Sequence, residues 1–217
     1  MLTIEQKTKE LYEKRIAPYA QNISESQKLA IINFQKVIFA IDQYGEQVKD
    51  LDPLVLESLW QRLTVCLDEL KVEKSVQQLL LQDIKDYADI EFSTRRGKRL
   101  LDYDIRLFYF KKSCDVRLQR HLIRYLNQQP PLSSEAEVVR DILEEIEDDL
   151  DDIKEDQSTP FNGNRFLEAL STKDKLNLEE YVTFVNSLTE GPKDLVEKIL
   201  KKIADCNLPV ADSKVTP

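Results

Sequence analysis

The residues with the clearest capacity for chemistry are Asp148 to Asp156, "DDLDDIKED", five aspartates and one glutamate in nine positions. Asp148, Asp152 and Asp156 stand at i, i+4 and i+8, so a helix would stack their carboxylates along one side at about one turn per step. Stacked carboxylates repel by a few tenths of a kcal/mol per pair on an exposed helix, and by more where water is partly excluded. Lys154 offsets little of that. Divalent cations would remove the strain, because a hard ion such as Mg²⁺ takes carboxylate oxygens together with waters and substrate phosphates. A solvated acidic face, a disordered acidic tail and a metal site are thus the three readings to separate.

The surrounding residues argue against the tail. Val139, Leu143, Ile146, Leu150 and Ile153 step by four, three, four and three, the seam of a helix burying one stripe. On that helix Glu145, Asp149, Asp152 and Asp156 form a ridge along one border of the stripe, and Glu144, Asp148, Asp151 and Glu155 are expected to point further toward solvent.

The "DDLDDIKED" stretch resembles the second metal-binding motif of class I terpenoid and isoprenoid synthases, (N/D)D(L/I/V)x(S/T)xxxE, with Asp at 152 and Asp at 156 where the motif has Ser/Thr and Glu. It is closer still to the second aspartate motif of squalene and phytoene synthases, in which acidic residues four apart precede a Gly-Arg and an apolar run; here "NGNRFL" follows and Arg165 takes the arginine's place. "VIFAIDQYGEQ" is similar to the first-motif helix of the same group, with Asp42 and Glu46 as its acidic pair. "RRGKRL" looks like a diphosphate-holding stretch of trans-prenyl diphosphate synthases, although it lies between the two acidic motifs and not before the first. The resemblance spans about residues 34–167. It implies an isoprenoid-synthase-like bundle binding Mg²⁺ through Asp148, Asp149, Asp152, Asp156, Asp42 and Glu46, and a prenyl diphosphate through Arg95, Arg96, Lys98, Arg99 and Arg165. Tyr103, Leu107, Phe110 and Cys114 would line the prenyl pocket. A prenyl transferase or cyclase and a degenerate, non-catalytic member both fit. About 60 residues follow Asp156, less than a full synthase usually carries there.

The elements that must position these residues are helical. With 4 Gly and 8 Pro in 217 residues, the chain is poor in the turn residues that closely spaced strands need, and apolar positions recur at helical spacing almost throughout. We expect a single all-α domain of about eight helices over residues 1–208, with a frayed tail at 209–217. "SESQ" from Ser24 reads as a capping box, Pro53 as a helix start, and Ser133 or Ser134 after "NQQPP" as a further cap. Residues 98–127 read as one long aromatic helix carrying Tyr103, Leu107, Phe110, Cys114 and His121 on one face. Asp83, Asp86 and Asp89 form a rival acidic face to oppose residues 148–156.

Charge and composition bound the rest. A net charge of -9 argues against a nucleic-acid surface, which needs a basic face. No window approaches the roughly 20 apolar residues of a membrane span. Three cysteines without CxxC spacing fit a reducing, cytoplasmic setting and indicate neither a disulfide framework nor a zinc knuckle. His121, the sole histidine, has no ExxH partner for a di-iron site and reads as a core or boundary residue. The competing functional class is a non-catalytic acidic scaffold that meets a basic protein partner, or a homodimer built on the seam of residues 139–153.

Overall fold

A computed structural model describes residues 3–188 and 193–206 of the chain. The expected tail at 209–217 lies outside them. Among the described residues there is no strand; the elements are α1 (Ile4–Leu11), α2 (Glu25–Gln47), α3 (Pro53–Glu69), α4 (Lys74–Ser93), α5 (Ile105–Lys112), α6 (Cys114–Leu126), α7 (Glu135–Asp151), α8 (Ile153–Asp156), α9 (Arg165–Thr172), α10 (Lys175–Ser187) and α11 (Lys193–Asp205). No described helix is long and apolar enough to cross a membrane.

Among the described residues eleven α-helices stand where about eight were expected, and the largest difference is at residues 98–127. There Tyr103 is extended, and Asp104 accepts a hydrogen bond from the Leu107 amide and starts a fresh helix. Ser113, at φ -75° and ψ 13°, then divides α5 from α6. A long run of helix-compatible residues conceals such breaks, because a local cap competes with propagation at little cost. The capping boxes at Ser24 and Ser134 and the proline start of α3 behind Asp52 form as read from the sequence.

Two hydrophobic clusters make the core. One joins Ile16, Ile31, Phe34, Leu63, Leu67 and Leu122 from the amino-terminal helices and α6. The other joins Phe108, Tyr109, Ile146, Leu150, Phe166, Tyr181 and Ile199 from α5, α7 and the carboxy-terminal helices. The seam foreseen on α7 is inside the second cluster, with Val139, Ile146, Leu150 and Ile153 buried and Leu143 packed against it. Burying each such side chain contributes about 1.5–3 kcal/mol, so α7 is pinned by its apolar stripe and its polar border must go wherever that leaves it.

Candidate functional site

Where the two clusters meet, the backbone leaves a cavity of about 460 Å³. Its walls come from α1 and the turn of π-helix after it (Tyr12–Ile16), from α2, α4, α6, α7 and α8, and from the loop at Gly163 and Asn164. All six carboxylates assigned from the sequence motifs line it: Asp42 and Glu46 from α2, Asp148 and Asp149 from α7, Asp152 at the α7–α8 junction, and Asp156 from α8. Asp148 lines the cavity and is at the same time exposed to solvent, as its helical angle suggested.

Five further acids share the cavity: Glu10, Glu91, Asp115, Glu145 and Glu155. Only four basic side chains, Lys7, Lys14, Arg15 and Lys112, accompany the eleven. Burial and mutual repulsion consequently push carboxyl groups toward their neutral form. Burial, reinforced by Asp42 and Asp156, pushes Glu46 up to about 8. Glu145 also rises to about 8 through burial and the neighbouring Asp115, and Asp148 rises to about 6, chiefly through burial. Burial raises Asp42 and Asp115 as well, and Glu91, next to Asp42, lies well above the usual carboxylate range. Asp152 is raised by burial and then by Asp156 and Glu155. The dependence of Glu46 on Asp156 ties the α2 carboxylates electrically to those of α7–α8.

One ion pair anchors this wall. Lys112 of α5 donates to Asp149 and to the Gly163 carbonyl at 3.3 Å, while the Tyr109 hydroxyl donates to Asp149 at 2.6 Å. Burial disfavours the Lys112 charge, but Asp149 and Glu145 outweigh it and hold the ammonium protonated. Asn164 donates its amide to the Asp149 carbonyl (2.7 Å) and to Asp156 (2.6 Å), tying the loop to the acidic helix. Gly163 is required for that approach, since a Cβ there would stand 2.0 Å from the Glu91 carboxylate.

The basic residues assigned to diphosphate lie elsewhere. Arg95 packs on the rings of Phe92 and Phe161 and donates to the Val48 carbonyl. Arg99 pairs with Glu168 and Asp174, while Arg96 and Lys98 are exposed. Arg165 is buried and donates to Tyr103, Asn177 and Glu180. None of the five lines the cavity. Arg95, Arg99 and Arg165 find acceptors in a nearby carbonyl or in side chains of residues 168–180, Lys98 lies over the Tyr103 ring and Arg96 faces solvent, and a cationic run in sequence carries no information about which way it faces.

Of the residues assigned to a prenyl pocket, Cys114 alone lines the cavity; Tyr103 and Phe110 pack against the second core, and Leu107 is 48% exposed. The break at Ser113 rotates α5 relative to α6 and removes the continuous face on which those residues were aligned. The apolar lining comes instead from Leu11, Ile38, Phe39, Ile41, Ile84 and Ala88. The rival acids Asp83 and Asp86 hold Lys111, at 3.3 and 2.8 Å, outside the cavity, and Asp89 is exposed. His121 is a boundary residue, its Nε2 3.1 Å from the Ser133 hydroxyl.

Glu91 is, with Glu10 and Asp115, a cavity acid that sequence reasoning passed over. It follows Leu80, Ile84 and Ala88 on the buried stripe of α4, and an acid at a core position of an apolar period is the signal that marks it. Its carboxylate accepts from the Tyr87 hydroxyl at 2.6 Å.

The donor set is entirely oxygen, suited to a hard divalent cation. Among the described residues no three His, Cys, Asp or Glu side chains are drawn together into a group able to hold a metal ion by itself. Family models, curated proteins and solved structures give no match to this chain.

Proposed function

We propose that the cavity binds Mg²⁺ together with a prenyl diphosphate, in the manner of the class I isoprenoid synthases that the two acidic motifs resemble. The observation that carries this reading is convergence: two stretches more than 100 residues apart, chosen from the sequence for their acid spacing, line one cavity, and an apolar patch of Leu11, Ile38, Phe39, Ile41, Ile84 and Ala88 shares its wall with further charged groups. Chance surface acids have no reason to meet across a cavity, and burying so many without cations costs stability.

Asp148, Asp152 and Asp156 would hold metal from α7 and α8, with Asp42 and Glu46 opposite. Mg²⁺, when bound, supplies charge to a leaving diphosphate and so favours ionisation of an allylic C–O bond. Ile38, Phe39, Ile41 and Ile84 supply an apolar wall that excludes water from a prenyl chain, and Lys112 with Tyr109 keeps Asp149 and its helix in register. This reading covers an active transferase or cyclase and equally a member that binds without turnover.

The test is the thermal midpoint of the full chain with Mg²⁺ alone, with farnesyl diphosphate alone, and with both, at constant ionic strength. A rise of several degrees that needs both ligands is expected by mass action. No rise with either farnesyl or geranylgeranyl diphosphate would sink the reading and leave the acidic scaffold, with a basic protein partner, in its place.

A further inference from the structure

We infer that the diphosphate end of the ligand is clamped by the amino-terminal helical segment, through Lys7, Lys14 and Arg15, and not by the Arg95–Arg99 cluster; this rests on the cavity being the metal and diphosphate site. Three observations support it. First, these three residues and Lys112 are the basic side chains that line the cavity, and Lys112 is already committed to Asp149. Secondly, Lys7 and Lys14 are seven residues apart, two helical turns, so the segment presents both from one side. Their ion pairs are long, 3.6 Å to Glu155 and 3.6 Å to Glu10, and their side chains are 43% and 75% exposed, so both ammonium groups can swing onto an incoming oxyanion. Thirdly, Arg15 sits on the π-helical turn Tyr12–Ile16, a rare local geometry that recurs at functional sites. Its guanidinium lies among Glu144, Glu145 and Asp141, yet its buried Nε and Nη2 make no hydrogen bond of good geometry. Nε is nonetheless ion-paired with Glu144 at 2.6 Å, so Arg15 would reach a phosphate by exchanging that carboxylate for it, which the match of a planar guanidinium to phosphate oxygens permits.

The charge balance dictates an order. Eleven carboxylates against four bases repel a bare anion, so the clamp closes on a diphosphate only once divalent cations have neutralised part of the acidic wall. The segment thereby selects the metal-bridged ligand over either component.

Titration calorimetry of inorganic diphosphate into the full chain, with Mg²⁺ in excess, tests this in the parent, in Lys7→Ala/Lys14→Ala and in Lys7→Arg/Lys14→Arg. Both lysines are exposed, so the fold is expected to survive, checked by an unchanged thermal midpoint without ligand. The parent should bind diphosphate only with Mg²⁺. The double alanine variant should bind at least about tenfold more weakly, as loss of charge-assisted hydrogen bonds requires, and the double arginine variant should recover most of the affinity. Equal affinity in all three, or no binding by the parent, overturns the clamp. A second arm with farnesyl diphosphate separates the two claims. If the lysines govern diphosphate affinity but the prenyl chain adds none, the clamp stands and the prenyl reading falls. If farnesyl diphosphate binds with Mg²⁺ and ignores the lysine substitutions, the clamp falls alone.

Discussion

Asp141 and Asp148 occupy the same helix two turns apart, and they meet opposite environments. Asp141 is fully buried, gripped by both terminal nitrogens of Arg120 with Arg15 at 3.8 Å. Around it Arg124 pairs with Glu137 at 2.5 Å and Arg15 with Glu144 at 2.6 Å, so the amino-terminal half of α7 carries its countercharge within the chain. Beyond Ile146 the ion pairs of α7 go to Asp149, and on the outer face to Glu147 and Asp151, leaving Asp148, Asp152 and Asp156 with none among the described residues. One half is a finished structural network. The other leaves three carboxylates without an ion-pair partner among the described residues.

The contrast can be broken at its strong end first. Replacing Arg120 with alanine would strand a buried Asp141 charge, and we expect a loss of about 3–5 kcal/mol by denaturant unfolding, the range for removing one partner of a buried pair. A loss under about 1 kcal/mol would show that Asp141 is not dependent on its in-chain partner.

A change of pH probes the other half. Glu46 and Glu145, with carboxyl groups raised to about 8, keep protons in the folded chain that the unfolded chain releases near 4.5. The stability they contribute is full below about 4.5 and drains as pH rises through 8. His121, depressed to about 4, works oppositely, its contribution being full above 6.5 and lost toward 4, so the clean window is pH 6.5–8.5. Across it we expect a fall on the order of 2 kcal/mol, or about 4–8 °C in Tm, that Mg²⁺ plus diphosphate reverses. A flat or rising profile would mean these carboxylates are not electrostatically strained.

Asp148→Asn combined with Asp152→Asn sharpens the same point with a smaller effect. The ligand-free variant should melt at the parent temperature or higher, by up to about 1 kcal/mol of relieved repulsion, and should lose the joint Mg²⁺ and prenyl diphosphate shift. The equivalent change on the outer face is a control. Lys198→Ala removes two exposed ion pairs, with Glu147 and Asp151, and should alter stability by no more than about 0.5 kcal/mol while leaving any ligand shift intact.

How far the sequence went differs by kind of residue. Asp148, Asp149, Asp152 and Asp156 were picked out by their spacing on one helix and Asp42 and Glu46 by resemblance to a first-motif helix, and all six line the cavity. The five arginines and lysines at 95–99 and 165 were not, because long cationic side chains follow what the tertiary structure brings near: Glu168 and Asp174 for Arg99, Glu180 for Arg165, the Val48 carbonyl for Arg95, and solvent for Arg96 and Lys98. Tyr103, Leu107 and Phe110 failed as a pocket wall for a different reason: the break at Ser113 is worth little locally, yet it reorients a whole face.

By itself the sequence determined an all-α chain, its capping boxes, the seam of α7 and the acid spacing, since all of these depend on neighbours within a few turns. The tertiary structure alone decided that α2 meets α7 across a cavity, that Glu91 and Asp115 join them, and that Lys7, Lys14 and Arg15 supply the positive side. Those pairings join residues as many as 149 positions apart in the chain, from Lys7 to Asp156, and are fixed by the packing of two apolar cores, a property no local pattern encodes.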